Sequence, residues 1–407
     1  MYKRQTVVLA ISLRYFREGG FYQGEYYFLL LTSFLGCVMM PSSRDLLLLF
    51  ISLELVSAPG FLMAAFRKND PKSNEAGLKF FLIGVLSTAV MLYGMSLIYG
   101  LTGTTRLGAI AQSLSHIDPA QETLAFSAIL FVVIGFAFKV SAVPFQFWAP
   151  DTYEGAPVPV AAFLAVASSA AGFAGLLQLM FVAFINQHAF WTPIFAALSI
   201  ATMTFGNLVA LKQTQVVRLL AYSGIAQAGY ILLPFALVSG DRAVNRSAFT
   251  ACVAYILIYA IMNLGAFAVT IAVSRRKPTA LISDFGGLVR SAPILAIAMT
   301  TCMISLAGVP PTGGFWAKIL IFKAAIERGG VGPWLAVVML ANSVISVVYY
   351  FAVPRQMIFE PARDESRMRS PVLVNAVVVL TLVAIVAVFV FPNPIARAAE
   401  ISTLIGG

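Results

Sequence analysis

The chain has 407 residues, 60% of them hydrophobic and 11% charged, with a formal net charge of +10. Soluble domains carry roughly 45–50% apolar and 25% charged residues, so this composition excludes an ordinary soluble enzyme and leaves a polytopic membrane protein. Nor does the positive balance indicate nucleic acid. The basic residues sit in short loops between apolar runs, as membrane topology dictates, with no basic-aromatic patch beside them.

The first apolar run, Thr6 to Leu13, lies between Lys3-Arg4 and Arg14. It is too short to cross a hydrocarbon core of ~30 Å at about 1.5 Å per residue, so residues 1–25 read as the remnant of a helix or as an interfacial segment. Eleven spans follow by hydropathy, at 26–41, 44–66, 75–100, 122–148, 156–185, 189–212, 217–240, 247–274, 291–327, 332–358 and 370–396. They group as 26–185 and 189–358, five spans each, before a loop and last span over 359–407. An odd number of spans per repeat turns the second copy upside down. The expected architecture is therefore an all-α membrane protein of two inverted repeats.

Loop charge gives the orientation. Loops 1–25, 67–74, 149–155, 212–218, 275–290 and 355–369 hold 17 Lys or Arg, whereas the alternate side holds six, Arg44, Arg106, Arg242, Arg246, Arg328 and Arg397. The positive-inside rule makes the first set cytoplasmic and puts the C-terminus outside. Four basic residues remain within spans: Lys79, Lys139, Lys318 and Lys323.

Cys37, Cys252 and Cys302 are scattered without ligand spacing, and His116 and His188 fall in loops. No metal site and no redox centre are expected in this chain.

Each half carries one broken span. F-K-V-S-A-V-P-F-Q-F-W-A-P-D-T-Y-E-G-A-P from Phe138 sets Lys139 just before Pro144, and S-L-A-G-V-P-P-T-G-G-F-W-A-K from Ser305 sets Lys318 just after Pro310 and Pro311. Lipid cannot satisfy a freed backbone group, so such breaks must face protein or a wet cavity. Interrupted segments in corresponding halves point to an ion pathway.

Glu54, in F-I-S-L-E-L-V-S-A-P, lies mid-helix, with Ser57 and Ala58 on its face. An intramembrane carboxylate costs at least ~2.5 kcal/mol on insertion scales and is functional by default. Its plain structural role would be an ion pair between helices. Lys139 is the strongest candidate: desolvation disfavours its ammonium form and a nearby carboxylate favours it, so small movements could charge or discharge it. Lys318 follows the same logic, while Lys79, about one turn inside its span, is divided between snorkelling and a role in the relay. Lys323 reads chiefly as a snorkelling residue. Asp151 and Glu154 read chiefly as a turn and helix start, with guarding a proton entrance as the alternative. The glycines of S-G-I-A-Q-A-G-Y, 223–230, fit small-residue helix packing.

Together with L-E-L-V-S from Leu53, S-N-E-A-G-L-K-F-F-L-I-G from Ser73 and R-L-L-A-Y-S-G-I-A-Q-A-G-Y from Arg218, these runs resemble the subunit N family of bacterial NADH-quinone oxidoreductase, respiratory complex I, over nearly the whole chain. The resemblance implies an antiporter-like, proton-translocating membrane-arm subunit in the bacterial inner membrane. It also implies other antiporter-like subunits as partners, with NADH, FMN, iron–sulfur clusters and quinone held by other subunits. Glu54, Lys79, Lys139 and Lys318 match the family's charged positions. In three places the chain departs from the family. Ser169, in A-V-A-S-S, stands where a lysine is usual; the Lys-Arg pair reads V-R-L-L from Val217, with Lys212 upstream; and the resemblance leads one to expect two or three spans before Thr6, so the sequence reads as a fragment, a gene read from a late start, or a shortened subunit. Lys212 or Lys323 could stand in for the absent lysine. The alternative readings are a subunit of a multi-subunit Na⁺/H⁺ antiporter or membrane-bound hydrogenase, and a structural membrane-arm subunit that does not pump.

Overall fold

The computed structural model describes residues 2–18, 23–277, 279–361 and 371–401. Expectations for residues 1 and 19–22 of the first segment, for 278 and 362–370 in two basic loops, and for 402–407 of the tail fall outside the described residues.

After α1 (Tyr2–Glu18), the helices follow in chain order, grouped as two runs. The first is α2 (Gln23–Ser42), α3 (Leu46–Ala64), α4 (Pro71–Thr102), the short α5 (Leu107–Ser115), α6 (Glu122–Lys139), α7 (Trp148–Gly155) and α8 (Val158–Ala183). The second is α9 (His188–Ala210), α10 (Val216–Ala236), α11 (Arg242–Ser274), α12 (Pro293–Ala307), α13 (Gly313–Arg328) and α14 (Gly332–Phe359), followed by α15 (Val372–Val390) and α16 (Asn393–Ile401). Nine helices among the described residues are long and apolar enough to span a bilayer. Two of the eleven hydropathy spans differ. The tyrosines and Glu25 of α2 dilute its hydropathy, and 291–327 is two shorter helices separated by Pro310 and Pro311.

Local chemistry sets where the helices begin. The Asp45, Asp70 and Asp241 carboxylates accept from the backbone N–H of Leu47 at 2.9 Å, Lys72 at 3.0 Å and Ala243 at 2.7 Å, capping α3, α4 and α11. Pro71 opens α4, where its missing N–H costs nothing.

Two hairpins, α2 on α3 and α9 on α10, pack closely through small residues. A Cβ at Gly36 would meet the Ser52 carbonyl at 2.6 Å, and one at Gly206 would meet the Ala226 nitrogen at 2.5 Å. Loops in equivalent places also pair. Asp45 bridges Arg106 and Gln215 bridges Leu281, each joining the start of a run's second long helix to the segment after its third.

Helices α8, α10 and α11 form the centre, each with 83% of its most apolar stretch buried, against 33% for α4 and α15 at the periphery. The outward faces are apolar: on α14, Trp334, Val337, Leu340, Val344 and Val348 are exposed at helical spacing. Such a surface is stable only against lipid or another apolar face.

Candidate functional site: two broken helices and a rim of ion pairs

Helix α6 ends at Lys139, Ser141 turns the chain with φ of 58°, and Pro144 prevents the helix from resuming. The Phe138 carbonyl accepts from the Ser141 N–H at 3.0 Å and from Trp148 Nε1 at 3.2 Å, and the Val143 N–H donates to Thr202 Oγ1 of α9 at 3.0 Å. Of the two surroundings that a break in lipid allows, protein or a wet cavity, these groups face protein side chains.

Lys139 is 2% exposed. Its ammonium donates to Ser57 Oγ on α3 at 2.8 Å, and Ser57 Oγ donates to the Leu53 carbonyl at 2.8 Å. Gly172 on α8 leaves space for the lysine stem, since a Cβ there would stand 2.9 Å from Lys139 Cγ. Glu54, one turn before Ser57 on the same helix, is half-buried, and its Oε1 has no hydrogen-bond partner. No ion pair joins it to Lys139 among the described residues, and the Lys139 ammonium is held by Ser57 instead.

At the second break α12 ends at Ala307, and Lys318, 8% exposed, folds back on that end. Its Nζ donates to the Ala307 carbonyl at 2.7 Å and lies 4.8 Å from the Tyr230 ring centre, placing a cation at a helix C-terminus and over an aromatic face. Gly308 is required twice over. Its φ is +82°, and a Cβ would meet Lys318 Cδ at 2.6 Å.

The preceding carbonyl, Leu306, accepts from Gln227 Nε2 at 3.0 Å. Gln227 Oε1 accepts from the Tyr255 hydroxyl at 2.6 Å, and Nε2 also donates to the Tyr350 oxygen at 3.0 Å. Tyr350 shares a 2.7 Å hydrogen bond with Ser223, and Asn207 ties Tyr230 to Tyr349 and Asn342. Small-residue packing does occur along 223–230, where Gly229 lies against Met203, but that reading overlooks Gln227 and Tyr230. An amide and a phenol within an apolar run were the available signal.

Beside the first break, against α8, α10 and α11, lies a cavity of about 10 Å³, the size of about one water probe. Its polar lining is Ser141, Tyr153, Ser169 and Tyr259. Ser169 Oγ donates to the Leu164 carbonyl at 3.1 Å, where α8 carries a π turn over Leu164–Ser168, a distortion common at functional sites.

The structure does not bring Lys79 to this seam. Its side chain is 43% exposed and pairs with Glu75 at 2.7 Å and Asp151 at 2.8 Å. Arg218 bonds Asp151 at 3.0 Å and Glu154 at 2.7 Å, and Lys72 reaches Glu154 at 3.5 Å, around a cavity of about 140 Å³. Asp151 lies in the first turn of α7, whereas Glu154 lies at its other end, and both belong to an ion cluster whose Arg218 the sequence did not single out as their partner. Burial raises the proton affinity of Asp151, but hydrogen bonds from Lys79 and Arg218 outweigh it and hold the carboxyl below its ordinary range.

Lys212 is exposed at the end of α9, and Lys323 pairs with Glu327 at 3.6 Å with 66% of its side chain exposed. Neither lines the Ser169 cavity, so the structure gives neither the place of the absent lysine. The three cysteines are buried and free, and no cluster of potential metal ligands occurs among the described residues.

Residues 43–346 match the family described as NADH:quinone oxidoreductase/Mrp antiporter, transmembrane. Subunit N of the NADH-quinone oxidoreductase of Trichlorobacter lovleyi is 42% identical over 360 residues, covering 88% of this chain and 72% of that protein. In respiratory complex I from Thermus thermophilus, one chain superposes with a TM-score of 0.76 at 32% identity, over 92% of this chain and 80% of that one. A chain of the archaeal membrane-bound sulfane sulfur reductase superposes with a TM-score of 0.82 at 27% identity, over 92% and 74%.

Proposed function

The chain belongs to the NADH:quinone oxidoreductase/Mrp antiporter membrane family, and on that premise we propose that it is a proton-translocating membrane subunit of an NADH-quinone oxidoreductase. It sits in a bacterial inner membrane among other membrane-arm subunits, with its C-terminus outside, as the excess of basic residues in the alternate loops supports. NADH, FMN, iron–sulfur clusters and quinone belong to other subunits, so this chain contributes no electron transfer. The repeated helix order and the paired loops at Asp45–Arg106 and Gln215–Leu281 support two inverted five-helix repeats, 26–185 and 189–358.

In the proposed cycle Lys139 gains and loses a proton, Glu54 biases that step, and the proton leaves by way of Lys318. Lys79, Asp151 and Glu154 form the cytoplasmic rim through which protons arrive. The observation that carries the reading is the Lys139 ammonium, 2% exposed and held by the single hydroxyl of Ser57 rather than by a carboxylate. A lysine serving as a brace would be locked in an ion pair. Moving one charge against 100 mV costs about 2.3 kcal/mol, a size that changes in the surroundings of such a lysine can supply.

The test is Lys139→Ala in membranes containing the whole complex. Proton translocation should be abolished while the complex still assembles; undiminished translocation would defeat the assignment. The likeness to the sulfane sulfur reductase chain keeps a second reading in view, a subunit of a related antiporter or hydrogenase complex. Absolute dependence of transport on sodium would favour it.

A further inference from the structure

We propose that the step between Lys139 and Lys318 runs through a chain of neutral hydroxyl groups, with Ser169 and Tyr259 as its central members and water linking them. This rests on the relay reading above. The two ammonium groups belong to different breaks, and the cavity that adjoins the first of them at Val140 and Ser141 is lined by hydroxyls and hydrocarbon with no charged side chain. Neither Lys212 nor Lys323 reaches it.

A hydroxyl both donates and accepts. It can take a proton on its oxygen lone pair and release its own to the next oxygen, so one O–H bond forms, one breaks and no charge stays behind. Ser169 and Tyr259 face the cavity from α8 and α11, the central helices of the two runs. Gly224 keeps the opposite side clear, since a Cβ there would lie 3.2 Å from the Tyr259 oxygen.

Tyr259 accepts from Asn263 Nδ2 at 2.8 Å, while Asn263, wholly buried, has no protein partner for Oδ1. Asn263 does not line the cavity itself, but a buried acceptor left open next to Tyr259, which does, is a site that an ordered water can fill. On the far side Tyr350 is bonded to Ser223 and Gln227, and the Gln227 amide holds the Leu306 carbonyl beside the Ala307 carbonyl on which Lys318 rests; the amide and carbonyls only fix this end, and the last transfer, from the Tyr350 hydroxyl to Lys318, passes through water. After each passage every hydroxyl points the other way and must rotate before the next. Ser169 is suited to this, because its hydroxyl, bonded to the Leu164 carbonyl at 3.1 Å, also has the Tyr153 hydroxyl within hydrogen-bonding reach to turn to.

The test compares Ser169→Ala, Ser169→Thr and Tyr259→Phe with Lys139→Ala, measuring proton translocation per assembled complex in membrane vesicles. Ser169→Ala and Tyr259→Phe should lower the rate about tenfold or more, whereas Ser169→Thr, which keeps the hydroxyl, should stay within about twofold of wild type. Wild-type pumping by Ser169→Ala and Tyr259→Phe, with Lys139→Ala inactive, would overturn the hydroxyl chain and leave the relay standing. Normal pumping by Lys139→Ala would remove the relay itself. A loss as large in Ser169→Thr as in Ser169→Ala would assign the effect to packing and also overturn the proposal. If Tyr259→Phe fails to assemble, the contrast between the two Ser169 variants decides.

Discussion

The two broken helices use the same parts in opposite ways. At the first, the Ser141 N–H and the indole of Trp148 take the Phe138 carbonyl, and Lys139 is left to reach across to Ser57 on another helix. At the second, Lys318 itself caps the freed Ala307 carbonyl, with Gln227 on the carbonyl before it. One lysine therefore holds a neighbouring side chain and the other holds its own break together. Removing the first should affect transport, and removing the second should affect transport and folding.

The largest effect is expected for Lys139→Met, which keeps length and apolar contacts. Proton translocation should fall by about 100-fold or more with near-normal amounts of assembled complex, because Ser57 retains its bond to Leu53. Lys318→Met should lose translocation and also lower the amount of complex. It leaves the Ala307 carbonyl buried without its donor, at a cost of about 1–3 kcal/mol. If both variants deplete the complex equally, as judged by its abundance in membranes, the contrast fails. Trp148→Phe sharpens it from the other side: the Phe138 carbonyl loses the indole but keeps the Ser141 N–H at 3.0 Å, a cost of about 0.5–1.5 kcal/mol, so thermal inactivation should come slightly earlier while the pumping of intact complexes is largely kept.

The smallest effect belongs to the rim, which is partly exposed and screened by salt. The folded-state proton affinity of Asp151 lies below its unfolded value of about 3.9. The stabilisation it gives is therefore complete above about pH 4 and lost as pH falls through the depressed value. Thermal stability should be insensitive to Asp151 titration between about pH 7 and 5, and Asp151→Asn should flatten the decline below about pH 4. An unchanged decline in that variant would show that the cluster contributes nothing.

Much of this was legible in the chain itself. Lys139 and Lys318 stand out because a charge inside an apolar run is costly wherever the helix lies, and Pro144, Pro310 and Pro311 mark the interruptions because proline has no N–H to give. Lys79 was harder to read. Hydropathy places it one turn inside a span, but its partner Asp151 is 72 residues away, and only folding shows that the two meet at a rim rather than along the seam.

Apolar length, loop charge and proline position therefore determined the class of protein, the order of its spans, the two breaks and the lysines beside them, because each depends on the energy of a local segment in lipid. The tertiary structure alone decided that Ser57 rather than Glu54 receives the Lys139 ammonium, that Trp148 and Thr202 close the first break, and that Gln227 and Lys318 close the second. Those choices depend on which helices cross at a given depth and on which donor lies within about 3 Å of an unsatisfied acceptor. Residue type and spacing along one segment do not encode that distance.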